Sequence, residues 1–172
     1  DKITQLQTHH LDGVTEIVTG GNTKLNLFAL YNNNSLQSVD ASNMPSLTTL
    51  QTYYSPNIQT INTTNSPNLK EVNATSNSSL TAIIGLDGNR NLEVLNAFRA
   101  KIESYDFSLQ TKLKVINLTS SAAKEIKGLD KVGASLVELI IPASQITSID
   151  ISQNPNLTKL DVNQLKGMTS ID

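Results

Sequence analysis

The chain has 172 residues, of which 38% are hydrophobic and 16% charged, and its formal net charge is −2. With 13 basic and 15 acidic residues and no basic run, it lacks the electrostatic footprint of a protein that binds nucleic acid or an anionic membrane. It has no cysteine, which excludes disulfides, zinc–thiolate sites and cysteine nucleophiles. No apolar run approaches the roughly 20 residues that span a bilayer, so membrane insertion is not expected.

An apolar residue returns along the whole chain at intervals of 21 to 23 residues. Apolar or small residues follow it three and five positions later. Eight units in register predict a repeat solenoid, with residues 1–172 forming one domain of about eight repeats. Because the first residue already lies inside a repeat, we expect a fragment of a longer chain. The leading residues are Ile3, Leu25, Leu47, Leu69, Leu92, Leu113, Leu136 and Leu157.

A second apolar pulse follows half a period later, as in Val39 with Leu36 and Ile61 with Ile58. Polar turn clusters such as Ser55-Pro56-Asn57 separate the two pulses. Each coil is therefore predicted to hold a short strand, a turn, a second extended segment and another turn. The second pulse is blurred over residues 122–129, where a short helical turn is expected.

The pattern Leu-x-x-Leu-x-Leu-x-x-Asn resembles a leucine-rich repeat, in residues 25–33 and 69–77. Residues 154–162 resemble the short repeats of surface leucine-rich proteins of Bacteroidota and, more distantly, of internalins. The resemblance implies a right-handed β-α superhelix that is mostly β. It would have a parallel concave sheet and a convex side of 3₁₀ turns or a second ladder of short strands. A right-handed β-helix of another type is the alternative.

The resemblance also implies a ladder of asparagines that bind backbone N–H groups at the first turn. Asn33 and Asn77 match that position, and the shorter side chains of Ser55, Ser121 and Ser144 can replace some of these bonds. The remaining coils have Leu11, Ala100 and Leu165 there, which cannot form the ladder.

The sequence offers little for catalysis. Its only histidines, His9 and His10, are adjacent and are expected to point to opposite sides of a strand. No nucleophile elbow, phosphate-binding loop or His-Glu-x-x-His motif is present. We therefore predict no enzyme activity, no cofactor and no metal site.

Stacking the coils predicts a binding strip on the outer face of the concave sheet. Four of the seven aromatic residues follow the inward positions, in the first five coils. Aromatic rings beside amides would suit a glycan or a protein ligand. Alternatively, the rings merely pack over turns or stiffen the sheet. The candidate ligand-binding residues are His9, Tyr31, Tyr53, Tyr54, Phe98 and Arg99, with the polar row Gln51, Asn73, Asn96 and Asn117.

The predicted function is a non-catalytic protein- or glycan-binding module of a secreted or cell-surface bacterial protein, with its signal peptide already removed. Glycosylation sequons at Asn73 and Asn117 would place glycans on the proposed face, which favours a bacterial source. The alternative is a structural spacer without a ligand. The last repeat still presents apolar residues such as Leu157 and Ile171, so self-association through this end is also expected.

Overall fold

The computed structural model of the chain describes residues 2–19 and 22–172. Its main feature is a parallel sheet of eight strands, one from each coil, ordered as in the sequence. Consecutive strands pair at the repeat interval, so that Leu50 lies between Phe28 and Val72. The strands of this long sheet are Gln5–His9 (β1), Leu27–Tyr31 (β2), Thr49–Tyr53 (β4), Glu71–Asn73 (β6), Val94–Asn96 (β8), Val115–Asn117 (β10), Glu138–Ile140 (β12) and Lys159–Asp161 (β14).

The second apolar pulse also forms strands, on the opposite side of the coils. These strands are Ser38–Asp40 (β3), Thr60–Asn62 (β5), Ala82–Ile84 (β7), Ser104–Asp106 (β9), Glu125–Lys127 (β11), Ser148–Ile149 (β13) and Ser170–Ile171 (β15). They pair in three separate groups: β3 with β5 and β7, β9 with β11, and β13 with β15. The second short-strand ladder is thus confirmed, but the helical turn expected over residues 122–129 is wrong, because β11 occupies that segment.

The core lies between the two sides and is built from the inward positions of both. In β4, for example, Leu50 and Thr52 are buried while Gln51 between them is only half-buried. Each fully buried Leu or Ile stabilises the fold by roughly 1.5–3 kcal/mol. One coil alone has no second apolar layer to cover it, so the stacking of coils supplies the stability.

Two single-residue insertions interrupt the second side. Asn89 follows Ile83 by six positions, whereas Ser66 follows Ile61 by five positions in the previous coil. The extra residue is accommodated at Gly85, which has φ +80° and is followed by the 3₁₀ turn Leu86–Gly88. The same insertion recurs at Gly128, where φ is +76°. Beyond each glycine the strand pairing stops, between β7 and β9 and between β11 and β13.

Side-chain amides and hydroxyls join neighbouring coils at the first turn. The backbone N–H of Leu11 donates to Asn33 Oδ1, that of Asn33 to Ser55 Oγ, and that of Ser55 to Asn77 Oδ1. The asparagine–serine ladder is therefore present over these four coils. It does not continue further, since Ser121 Oγ accepts a bond from Ala123 N and Ser144 Oγ is buried without a partner among the described residues.

A second polar ladder, at the other turn, was not predicted. Met44 N donates to Ser66 Oγ, and Asn89 Nδ2 donates to the carbonyl oxygens of Thr63 and Ser66. The same arrangement recurs in later coils, where Gln110 Nε2 donates to the Leu86 carbonyl oxygen and Asn154 Nδ2 to the Leu129 carbonyl oxygen of the preceding coil. These buried side chains add hydrogen bonds between neighbouring coils where water is excluded. Among the described residues, no helix is long and apolar enough to cross a membrane.

Candidate ligand-binding face

Three columns of side chains cover the outer face of the long sheet. The second column consists of Gln7, Ala29, Gln51, Asn73, Asn96, Asn117, Ile140 and Asp161. The first column lies two residues earlier on each strand and contains Glu71, Val94 and Glu138. The third lies two residues later and contains His9, Tyr31, Tyr53, Thr75 and Phe98. Because the pairing is parallel and in register, each column places one residue per coil at steps of about 4.8 Å.

His9, Tyr31 and Tyr53 form an aromatic stack on neighbouring strands. The ring centroids of Tyr31 and Tyr53 are 5.2 Å apart with planes 13° from parallel, and His9 lies 6.2 Å from Tyr31 at 38°. Both faces of the Tyr31 ring are therefore occupied. The side of Tyr53 away from Tyr31 has only the small Thr75 next in its column.

The tyrosine rings lean back over the second column. The Tyr31 hydroxyl donates to Gln51 Oε1 at 2.8 Å, and Gln51 Nε2 donates to Glu71 Oε1 at 3.2 Å. Ala29, although it points outward, is fully buried under this arrangement. The structure thus brings His9, Tyr31, Tyr53 and Gln51 together, and it adds Glu71 to them.

The phenol of Tyr53 is electrostatically coupled to this network. Burial raises the pKa of Tyr53 above its ordinary value of 10.0, and the negative charge of Glu71 raises it further. Tyr31 acts in the same direction, while a hydrogen bond with the Asn73 side chain opposes the rise.

The three asparagines of the polar row have a structural use. Each Oδ1 accepts the backbone N–H two residues later and so shapes the end of its strand: Thr75 N for Asn73, Phe98 N for Asn96 and Thr119 N for Asn117. The oxygens are thereby engaged in Asx turns. The amide nitrogens of Asn96 and Asn117 remain groups that the row could offer to a ligand.

Phe98, Arg99 and Tyr54 lie apart from the stack. Phe98 is two strands beyond Tyr53, and the Arg99 guanidinium carbon lies 5.0 Å from the Phe98 ring centroid. Tyr54, 57% exposed, and Arg99 open onto a groove of about 330 Å³ at the corner of the coils. We call this the corner groove; it is lined by Asn32, Asn34, Tyr54, Pro56, Ser76, Ser78 and Arg99.

The corner is made by a left-handed residue in every coil. Tyr54 has φ +52° and Arg99 φ +65°, and the equivalent residues of the other coils are also left-handed. The full set is His10, Asn32, Tyr54, Ser76, Arg99, Ser120, Ala143 and Gln164. This conformation disfavours side chains with a Cβ, yet no glycine stands at any of these positions. It turns the side chains out of the strand alternation, which explains why Tyr54 is exposed.

The same corner overturns the expected geometry of the histidines. His9 and His10 do not point to opposite sides, because His10 has φ +54° and the strand alternation ends there. Their rings are 4.2 Å apart in an edge-to-face arrangement. In residues 2–19 and 22–172, no group of three or more His, Cys, Asp or Glu is arranged to hold a metal ion.

Two further clefts lie where the second side is interrupted. One of about 320 Å³, between β7 and β9, is lined by Ile83, Leu86, Ile102 and Tyr105 with Asp87 and Asp106 among its polar residues. The other, of about 430 Å³, lies between β11 and β13 and contains four acidic residues, Glu125, Asp130, Asp150 and Asp172. Neither contains any of the candidate residues.

Sequence reasoning missed Glu71. The signal was available in the first column, where a reading down the coils gives Thr49, Glu71 and Val94. The predicted set comes from the second and third columns and the corner position, because the outward aromatic and amide residues lie there.

A parallel solenoid with one leucine-rich strand per 21–23 residues, almost no helix and amide ladders at its turns is a leucine-rich repeat solenoid. The expected fold is confirmed. The chain is similar in structure to the functional domain of InlJ from Listeria monocytogenes, a domain that includes a cysteine ladder, with a TM-score of 0.50 and 17% identity. The match covers 99% of this chain and 46% of the other, so this chain spans under half of that neighbour's length. No protein-family model and no curated protein matches the chain.

Proposed function

We propose that the chain is a non-catalytic protein-binding module and that the outer face of the long sheet is its recognition surface. The observation that carries the proposal is the aromatic stack, whose half-buried tyrosine rings line the outer face of the parallel sheet. All three remaining aromatic residues, Phe28, Tyr105 and Phe107, are buried in the core. Aromatic side chains with a polar tip are enriched in protein interfaces, where they contribute apolar area without losing their hydrogen bonds.

The stacking favours a protein over a glycan as the ligand. A sugar ring packs on the open face of an aromatic side chain, but both faces of Tyr31 are occupied by His9 and Tyr53. The stack therefore presents a row of ring edges and one uncovered ring face, that of Tyr53. A row of this kind suits the flatter and more extended surface of a protein.

The experiment is a binding screen of the purified chain against arrays of proteins and of glycans, followed by a variant test. We expect a protein ligand whose binding is lost in Tyr53→Ala and weakened in Phe98→Ala. The matched control is Ile84→Ala, which removes a side chain 50% exposed on the opposite side. Circular dichroism establishes that each variant is folded. Equal loss in the Ile84→Ala control, or unchanged binding in Tyr53→Ala, would refute the proposed face.

A structural spacer is the second candidate, and one observation favours it. The Tyr31 hydroxyl and the oxygens of Asn73, Asn96 and Asn117 are all satisfied within the sheet, as expected if they only stiffen it. A screen in which no protein or glycan binds would support the spacer instead.

We further propose a bacterial cell-surface or secreted location, on the resemblance of the repeats to surface leucine-rich proteins. Self-association through the last coil is also proposed, since Ile171 is 46% exposed there and β15 is paired on one side only. Light scattering tests the second point. A chain that stays monomeric at high concentration would contradict it.

A further inference from the structure

The aromatic stack ends in a free ring face, and this inference rests on the proposed recognition surface. Tyr53 is covered by Tyr31 on one side, at 5.2 Å, and is followed in its column by Thr75. The next ring, Phe98, is two strands away, at about 9.6 Å if the spacing is about 4.8 Å per strand. A flat group about 3.5 Å thick can therefore lie on Tyr53, above Asn73 and Thr75, without displacing another aromatic ring.

A carboxylate without a cationic partner is connected to the hydroxyl end of the stack: the Tyr31 hydroxyl donates to Gln51, and Gln51 donates to Glu71. Glu71 is half-buried and accepts one hydrogen bond, from Gln51. Its register neighbours are Thr49 on β4 and Val94 on β8, both neutral, so no cross-strand ion pair can form. In residues 2–19 and 22–172 no lysine or arginine lies within ion-pairing distance of Glu71, whereas five other carboxylates have one.

Glu138 shows what the same column does when a cation is available. It occupies the position equivalent to Glu71, and its register neighbour on β14 is Lys159. The Lys159 ammonium lies 3.3 Å from the Glu138 carboxylate. The column therefore accommodates a charge pair, and Glu71 has Val94 on the following strand where Glu138 has Lys159.

We propose that this place is a subsite for an arginine side chain of a protein partner, with its guanidinium stacked on the free face of Tyr53 and hydrogen-bonded to Glu71. Arginine is the side chain that meets both conditions, because its guanidinium is planar, always charged and able to stack on an aromatic ring. A lysine ammonium would pair with the Glu71 carboxylate but could not stack flat on the Tyr53 ring. An uncharged planar group would stack on the ring but leave Glu71 without a cation.

The test uses three short peptides, acetyl-Gly-Xaa-Gly-amide, in which Xaa is arginine, lysine or citrulline. Citrulline keeps the planar shape of arginine and removes its charge. Binding to the full chain is followed by NMR at the Tyr53 ring and the Asn73 side-chain amide. We expect a saturable shift with the arginine peptide, and roughly tenfold weaker binding of the citrulline peptide, as for loss of one charge-assisted hydrogen bond.

Matched variants locate the effect. Glu71→Gln should weaken the arginine peptide by about tenfold, and Glu138→Gln, the control in the same column, should leave it unchanged. Equal binding of arginine and citrulline, an equal effect of the two variants, or no saturable shift in the millimolar range would overturn the subsite.

The outcomes separate this subsite from the proposed function. A partner that loses binding in Tyr53→Ala but is insensitive to Glu71→Gln would refute the arginine subsite and leave the recognition face intact. Saturable binding of the arginine peptide, together with a screen that finds no protein ligand, would support the arginine subsite and count against the proposed protein-binding function.

Discussion

Thr63 and Asn89 are joined side chain to side chain, with Thr63 Oγ1 2.7 Å from Asn89 Oδ1, and both residues are fully buried. The amide nitrogen of Asn89 also donates to the carbonyl oxygens of Thr63 and Ser66, at 3.3 and 3.1 Å. One side chain thus satisfies polar groups of the preceding coil that water cannot reach. The pair joins two coils through buried hydrogen bonds at the turn that follows the short strands.

Asn89→Ala should therefore be strongly destabilising. It removes three buried hydrogen bonds between the two coils, and we expect the free energy of unfolding in urea to fall by about 2–4 kcal/mol. The matched control is Asn91→Ala, which removes an exposed bond from Nδ2 to the Pro67 carbonyl and should change stability by less than about 0.5 kcal/mol. Similar losses in the two variants would contradict the role given to the buried ladder.

Gly85→Ala should destabilise the chain through the backbone. A Cβ at Gly85 would lie 2.6 Å from the N and Cα atoms of Thr64, and φ is +80°. We expect a loss of at least about 2 kcal/mol, since neither the strain nor the clash with backbone can relax by side-chain rotation. Gly88→Ala is the control, because no atom lies within 4 Å of its Cβ position. Thermal denaturation of both variants measures the difference, and a Gly85→Ala protein as stable as Gly88→Ala would show that the insertion tolerates a side chain.

Tyr105→Phe should stabilise the protein. The Tyr105 hydroxyl is buried and has no hydrogen-bond partner among the described residues, so its removal relieves a desolvation penalty of about 1 kcal/mol. The ring stays in place, stacked on Phe107 with centroids 5.8 Å apart. Tyr31→Phe, which loses the bond to Gln51, should lower the free energy of unfolding by about 0.5–1.5 kcal/mol. Chemical denaturation measures the free energy of unfolding of both variants. A change of the same sign in Tyr105→Phe and Tyr31→Phe would contradict the prediction.

The stability of the chain should decline in alkali. Burial raises the pKa of Tyr105 well above the ordinary value of 10.0, and the pKa of Tyr53 is raised as well. Both phenols therefore ionise more easily in the unfolded chain, and the stability present below pH 10 is lost as the pH rises above it. Denaturation midpoints measured across this range should fall, and they should fall less steeply in Tyr105→Phe. A midpoint independent of pH above 10 would argue against the buried phenol.

The sequence predicted the coils because their signal is repeated eight times. Leu50 and its equivalents return at one register, so the long sheet, its core and the outward Tyr31 and Tyr53 followed directly. The single-residue insertions at Gly85 and Gly128 were not anticipated, since their effect depends on contacts with the preceding coil. Nor did the strand alternation reveal the left-handed corner that brings His10 against His9, because a residue-by-residue pattern does not report a change in φ. Whether the candidate residues bind a ligand stays a prediction.

The two glycine insertions should also determine where the solenoid unfolds in part. A solenoid derives its cooperativity from contacts between nearest-neighbour coils, so a weaker contact is a boundary for partial unfolding. The long sheet crosses both boundaries, but the short-strand pairing does not, and it divides the coils into groups ending at β7, β11 and β15. Amide hydrogens should consequently exchange in three blocks and not uniformly along the stack. The Tyr53 and Glu71 face lies within the first block, so it can remain folded while the later coils open.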